Sequence, residues 1–282
     1  MAKKHNPAHA QNLMATGSAD HAVPAAVPTH DYLQILIERL RAGRVVLCAG
    51  AALGAGRPMW RGMVDKLLDQ LSQRPGNEAA VSEARGLAGS YPLSVCGFLR
   101  RRLGDDFSAA VQEALPAVTA EVSSSARADS ISNASKLPFR ALLSTAFDDD
   151  LIRACVDVNP GVRVYRADQS EEVRKDGRGR YILRLLGGVD QPEHLLFSES
   201  DLRRVLADES FRTLIGELYN KRSFLFIGFD PADPDFGMVV DRMLVSASRP
   251  VGIAAGAEPQ HFALFTGVPR VVQEEIEAAY GI

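Results

Sequence analysis

The sequence of 282 residues is poor in cysteine and has no strong excess of charge of either sign. Its three cysteines, Cys48, Cys96 and Cys155, lie far apart and form no Cys-x-x-Cys pair. They cannot supply a four-cysteine zinc site, and isolated cysteines in odd number are typical of a reducing compartment. With 32 Lys and Arg against 35 Asp and Glu, the net charge of -3 provides no basic field for sequence-independent binding to nucleic acid. We therefore expect neither zinc nor strong nucleic-acid binding.

Long apolar runs are also missing from the sequence. No apolar stretch is long enough to span a bilayer, and the N-terminus lacks the apolar core of a signal peptide. These absences predict a cytoplasmic protein without membrane contact. Residues 1–28 are rich in Ala, His, Pro and small polar residues without an apolar period, so we expect a disordered leader there. The remaining residues, 29–282, are expected to form one α/β domain with a helical insertion at about 62–136.

A buried-strand pattern that runs into a glycine-rich turn is the most distinctive stretch present. From Val45 to Trp60 the chain reads Val-Val-Leu-Cys-Ala-Gly-Ala-Ala-Leu-Gly-Ala-Gly-Arg-Pro-Met-Trp. This predicts a strand, a tight turn and a helix. Small residues allow backbone amides to approach a ligand, and amides at a helix start favour an anion such as a pyrophosphate. The turn matches neither G-x-G-x-x-G nor a P-loop, so close packing of the helix on the sheet explains the glycines equally well.

Three further apolar runs end in turns of polar or small residues, at 141–144, 181–186 and 223–227. Alternation of such runs with helical patterns predicts a Rossmann-like, mostly parallel sheet with helices on both faces. Ligand groups in an open parallel sheet lie where strands end and helices begin. Outside these motifs, the polar stretch from Ser123 to Ser135 predicts a surface loop. The cluster of Arg100, Arg101 and Arg102 predicts a solvated helix face or a C-terminal cap, with an anion contact as the alternative.

Taken together, the motifs resemble those of the sirtuin-like family, in the same order and at similar distances from Asp31 to Ile282. The family's Gly-Ala-Gly-x-Ser, Gly-x-Pro and Trp are similar to the first turn, where Ala49-Gly50, Gly56, Pro58 and Trp60 fit. Its Thr-Thr-Asn-Tyr/Phe-Asp resembles residues 144–148, and its Phe-x-Gly-Tyr/Phe-Ser-x-x-Asp-Pro-Asp-Phe resembles residues 226–236. The zinc ribbon of the deacetylase branch is missing. The resemblance is therefore to the zinc-free prokaryotic branch, which includes NAD hydrolases that act as abortive-infection effectors in anti-phage defence.

The resemblance implies binding of NAD or ADP-ribose at these turns. It places the phosphates and the nicotinamide ribose at the first turn, the nicotinamide near the second and the adenosine near the last. The implied binding residues are Ala49, Gly50, Ala51, Ala52, Gly56, Thr145, Asp148, Gly228 and Asp230. Asp230 replaces the family's Ser, and at about 4 Å it would repel a phosphate by about 1 kcal/mol in water and about 4 kcal/mol at an effective dielectric of 20. Alternatively, its carboxylate caps the following turn or accepts a ribose hydroxyl.

The departures from the family pattern fall on the chemistry. Ala146 stands at the position of the family's Asn, and Leu186 stands at the position of its catalytic His. Neither side chain can donate, accept or carry a proton. We therefore expect a pseudoenzyme that binds a nucleotide or a protein partner, including a second copy of itself, in a bacterial defence or signalling system. The alternative is an active NAD hydrolase whose catalytic role has passed to Asp148, Asp149, Asp230 or His194, since carboxylates can stabilise an oxocarbenium-like centre.

Overall fold

The computed structural model describes residues 29–51, 53, 59–120, 125–176, 179–188, 190–229, 231, 237–245, 260–265, 267–280 and 282. The leader that we predict over residues 1–28 therefore lies outside the described residues. The division of the chain into a leader and one domain with an insertion stays a prediction.

Six strands form one sheet in the described part of the chain, and every neighbouring pair is parallel. The strands are β1 (Val45–Ala49), β2 (Ala141–Ser144), β3 (Arg163–Arg166), β4 (Tyr181–Arg184), β5 (Ser223–Ile227) and β6 (Phe262–Leu264). Their order is β3-β4-β2-β1-β5-β6, which places β1 and β2 in the middle of the sheet. This arrangement confirms the predicted Rossmann-like α/β fold.

Helices fill the chain between the strands. They are α1 (Thr29–Arg41), α2 (Met59–Ser72), α3 (Glu78–Leu87), α4 (Pro92–Leu103), α5 (Phe107–Ala120), α6 (Ser125–Ser135), α7 (Asp150–Val158), α8 (Ser170–Asp176), α9 (Glu199–Ala207), α10 (Glu209–Lys221) and α11 (Arg270–Tyr280). A π-helix covers Met238–Val245. Helices α2 to α6 follow one another between β1 and β2. Within the described residues, no helix is both long and apolar enough to cross a bilayer.

Both faces of the sheet are covered, because alternate side chains of a strand point to opposite faces. Val46 and Cys48 of β1 belong to a core that contains side chains of α2 to α5 and of α8 to α10. Val45 and Leu47 belong to a second core, which is closed by α1, α6 and α7. The predicted placement of helices on both faces is thus confirmed.

The Ser-rich stretch before β2 contradicts our prediction of a surface loop, because residues 125–135 form α6. Serine has only moderate helix propensity, but burial of one helix face stabilises the helix independently of propensity. Arg127, Ile131 and Ala134 are all buried, at the i, i+4 and i+7 spacing of a single face. Because Arg127 is charged, only Ile131 and Ala134 mark this face in the sequence, which is too few residues to indicate a helical period.

Candidate functional site

The strand register brings the predicted turns to one edge of the sheet. Ala49 at the end of β1 lies in register with Ser144 of β2 and with Ile227 of β5. Ser144 in turn lies in register with Arg184 of β4. The four strands therefore end level with one another, and the residues that follow them leave the sheet together. Among the predicted positions, these residues are Gly50, Thr145, Ala146, Leu186 and Gly228.

The turns after β1 and β5 pack directly on each other. The Gly50 N–H donates to the Ile227 carbonyl oxygen at 2.8 Å. A Cβ atom on Gly50 would lie 2.2 Å from the Gly228 carbonyl oxygen, and one on Gly228 would lie 2.6 Å from the Leu53 backbone. Gly228 also has a φ of +69°, which disfavours any side chain. Contact between the two turns is thus sufficient to require glycine at both positions, whatever ligand the edge holds.

The hydroxyl groups at the end of β2 are engaged within the protein. Thr145 is 1% exposed, and both its N–H and its Oγ1 lie within hydrogen-bonding distance of the Ala49 carbonyl oxygen, at 3.0 and 3.3 Å. The Ser144 Oγ accepts a hydrogen bond from the Ala146 N–H at 3.3 Å. These bonds hold the turn after β2 against the end of β1.

The two positions that the resemblance aligns with the family's Asn and its catalytic His are apolar and largely buried. Ala146 is 9% exposed, and Leu186 is 0% exposed. The side chain of Leu186 belongs to the same core as Phe147 and Phe197. Its carbonyl oxygen accepts from the Leu196 N–H at 3.0 Å. Leu186 therefore packs in the core and presents no polar group to the sheet edge.

A buried ion pair holds Asp148, which the resemblance assigns to the nicotinamide side. The Arg127 Nη2 lies 2.8 Å from the Asp148 Oδ2, with the two side chains 8% and 6% exposed. The other carboxylate oxygen, Oδ1, accepts from the Asp150 N–H at 3.0 Å. Burial raises the pKa of the Asp148 carboxyl, although the Arg127 guanidinium opposes this shift. Sequence reasoning missed Arg127 because it assigned this residue to a loop.

Asp149 belongs to a second ion-pair cluster at the same edge. Arg184, at the end of β4, lies 2.5 Å from the Asp149 Oδ1 through Nη2 and 2.6 Å from the Asp190 Oδ1 through Nη1. Burial raises the pKa of the Asp149 carboxyl, and the Arg184 charge opposes that shift. The Asp149 carboxylate is therefore engaged by a cation within the protein. Arg184 was also missed, since nothing local in the sequence indicates its partners.

His194 lies toward the β3 side of the sheet. Its imidazole Nδ1 is 3.5 Å from the Asp168 Oδ2, and its side chain is 37% exposed. Asp168 belongs to the short 3-10 helix Ala167–Gln169 that follows β3. Because β4 and β2 stand between β3 and β1, these contacts are on the opposite side of β2 from Gly50.

The remaining predicted positions include Ala51, which is 4% exposed. Ala52, Gly56 and Asp230 lie outside the described residues, so their assignments stay predictions. No group of three or more His, Cys, Asp or Glu side chains that could hold a metal ion occurs in the described part of the chain. Cys48, Cys96 and Cys155 are buried thiols.

A groove of about 530 Å³ lies between α6 and α7. Arg127 and Asp150 line it, and these two residues also take part in the contacts around Asp148. The other lining residues are Ala128, Ile131, Ser132, Ser135, Lys136, Ala154, Asp157 and Val158. The groove and the carboxyl edge of the sheet therefore share Arg127.

The parallel sheet and the turns that meet at its carboxyl edge define a Rossmann-like α/β protein. A family model for the SIR2-like domain matches residues 140–282, which is about half of the chain. The chain therefore belongs to the SIR2-like domain family, and the sirtuin-like resemblance is confirmed. The matched range begins just before β2, so it contains the turns after β2, β4 and β5 but not the turn after β1. No curated protein matches the chain.

Membership of this family makes the protein a sirtuin-like, NAD-related module. Ala146 and Leu186, which the resemblance aligns with the family's Asn and catalytic His, both lie inside the matched range.

Proposed function

We propose that the protein is a catalytically degenerate SIR2-like module that binds a nucleotide of the NAD or ADP-ribose type at the carboxyl edge of its sheet. The observation that supports this proposal is the pair of apolar side chains, Ala146 and Leu186, at the two positions that the resemblance aligns with the family's Asn and its catalytic His. General acid–base catalysis contributes about 10²- to 10⁴-fold in rate, so its loss removes turnover before it removes binding. The bound nucleotide would then act by stabilising one state of the module.

The contacts of the nearby polar groups support the same proposal. The Thr145 hydroxyl is directed to a backbone carbonyl, and Asp148 and Asp149 each pair with an arginine. The His194 Nδ1 lies 3.5 Å from the Asp168 Oδ2, on the opposite side of β2 from Gly50. These contacts within the protein support a module that binds without turnover. The role of the module would be to bind a protein partner or a second copy of itself in a bacterial defence or signalling system.

The test combines calorimetry with an assay of NAD consumption on the purified full-length chain. NAD and ADP-ribose are titrated separately, and NAD incubated with the protein is quantified by chromatography. Saturable binding without loss of NAD is the expected result. Loss of NAD that disappears in Asp148→Asn would overturn the proposal in favour of an active hydrolase. Absence of both binding and turnover would overturn nucleotide binding altogether.

A further inference from the structure

Arg127 is a buried arginine that joins three segments of the chain. It belongs to α6, and its Nη2 lies 2.8 Å from the Asp148 Oδ2 after β2 and 3.4 Å from the Asp150 Oδ2 at the start of α7. Its Nη1 donates to the Leu53 carbonyl oxygen, in the turn after β1, at 3.3 Å. A planar guanidinium can serve all these acceptors at once, which a lysine ammonium on its flexible stem does less well.

Leu53 is the residue through which Arg127 reaches the glycine turn. The Leu53 N–H donates to the Gly50 carbonyl oxygen at 3.3 Å, closing the turn after β1. The Leu53 backbone also lies against Gly228, since a Cβ atom there would be 2.6 Å from the Leu53 Cα. The ends of β1, β2 and β5 are therefore connected to α6 through Leu53 and Arg127.

Arg127 also opposes negative charge at the carboxyl edge of the sheet. Asp148 and Asp150 both lie within 3.4 Å of its guanidinium. Without that cation, the buried carboxylate of Asp148 would be unopposed beside the turn that is proposed to hold phosphates. A phosphate bound there would then be repelled by the Asp148 carboxylate, and such repulsion is strongest where water is excluded.

We infer that Arg127 is a positioning residue of the nucleotide site, which fixes the turn after β1 through Leu53 and neutralises Asp148. This inference rests on the proposed function. It makes nucleotide affinity depend on α6, a helix that contributes no residue to the predicted binding set. Arg127 also lines the groove between α6 and α7. Its contact with Leu53 therefore links that groove to the turn after β1.

Arg100 provides a matched control within the same chain. Its Nη1 lies 3.0 Å from Oδ1 of the buried Asp201, and its Nη2 donates to the Leu195 carbonyl oxygen at 3.1 Å. Like Arg127, it extends from a helix between β1 and β2 to a buried carboxylate and a backbone carbonyl. It lies on α4, which packs in the core on the other face of the sheet.

The experiment compares Arg127→Met, Arg127→Lys and Arg100→Met in the full-length chain. Calorimetry with ADP-ribose gives the affinity, thermal unfolding gives the stability, and amide hydrogen exchange reports on the Leu53 N–H. We expect Arg127→Met to raise the Kd for ADP-ribose by about tenfold or more and Arg127→Lys to raise it less. Arg100→Met should lower the unfolding temperature but leave the Kd within about twofold. Exchange of the Leu53 amide should accelerate in Arg127→Met only.

The outcomes separate this inference from the proposed function. If the unmodified protein binds ADP-ribose and the Arg127 variants bind it equally well, the inference is wrong and the proposed function stands. Equal weakening by Arg100→Met would also overturn the inference, since general destabilisation would then explain both effects. If the unmodified protein binds neither ADP-ribose nor NAD, nucleotide binding is wrong and Arg127 has no nucleotide site to position. Hydrogen exchange of the Leu53 amide then tests only whether Arg127 holds the turn after β1. If Arg127→Met does not fold, Arg127→Lys decides the result.

Discussion

The His261 Nδ1 accepts a hydrogen bond from the Phe224 backbone N–H at 3.2 Å, immediately before β6 begins. The imidazole is 3% exposed and stacks on Tyr219 with 4.2 Å between ring centroids. Since Nδ1 is the acceptor, the ring must be neutral in the folded protein, with its proton on Nε2. Burial, assisted by the charge of Arg39, lowers the pKa of His261 to about 4.

This pairing predicts an acid-sensitive fold. Between pH 6.5 and about 4, the unfolded chain takes up a proton at His261 that the folded chain does not. The contribution of the neutral His261 to the free energy of unfolding is therefore complete above pH 6.5. It is lost as the pH falls toward 4, by about 3 kcal/mol in total. Urea unfolding at pH 7 and pH 4.5 measures this loss. In His261→Asn the loss over the same interval should be smaller, and an unchanged pH profile would contradict the assignment.

The contacts of Asp201 predict that replacing this residue lowers the stability of the fold, at a position away from the carboxyl edge of the sheet. Its Oδ2 accepts from the N–H groups of Phe197 and Ser198 and from the Ser198 hydroxyl, while its Oδ1 pairs with Arg100. Replacement by Ala removes the capping box of α9 and leaves the partly buried Arg100 without its carboxylate partner. We expect Asp201→Ala to lower the free energy of unfolding by about 2–5 kcal/mol. Arg270→Ala, at a site whose side chain is 89% exposed, is the control and should leave the unfolding midpoint unchanged. Equal midpoints for the two variants would contradict this prediction.

The sequence alone predicts the parallel sheet but not the ion pairs around it. Strands β1, β2, β4 and β5 are continuous apolar runs that end in small or polar residues, a pattern that follows from burial on both faces. The partners of Arg127 and Arg100 depend on contacts between positions 21 and 101 residues apart. No local propensity encodes such distances. Consequently the ends of these strands were predicted, whereas Arg127 and Arg184 were missed. Arg100 was predicted on a solvated helix face or as a C-terminal cap, with an anion contact as the alternative, and it pairs with the Asp201 carboxylate.

The burial of Leu186 predicts that restoring the family's residues does not restore activity. In Ala146→Asn with Leu186→His, the new imidazole would replace a side chain that is 0% exposed in the core. An imidazole there would pack as a buried polar group without an arranged partner, at a cost of about 1–3 kcal/mol in stability. We expect NAD to remain intact in chromatographic assays of the double variant and of Ala146→Asn alone. Release of nicotinamide by either would show that the sheet edge is still arranged for hydrolysis.

The contact between Gly228 and Leu53 predicts that this glycine is more sensitive to substitution than a glycine of similar conformation elsewhere. Gly43 has a φ of +63°, close to the +69° of Gly228, but a Cβ atom on Gly43 would have no neighbour within 4 Å. Gly43→Ala should therefore cost only the backbone strain, about 1–2 kcal/mol. Gly228→Ala adds a clash with the Leu53 backbone, so its unfolding free energy should fall further and its affinity for ADP-ribose should drop. Chemical unfolding and calorimetry of both variants test this difference, and equal losses at the two positions would mean that the turns after β1 and β5 do not depend on each other.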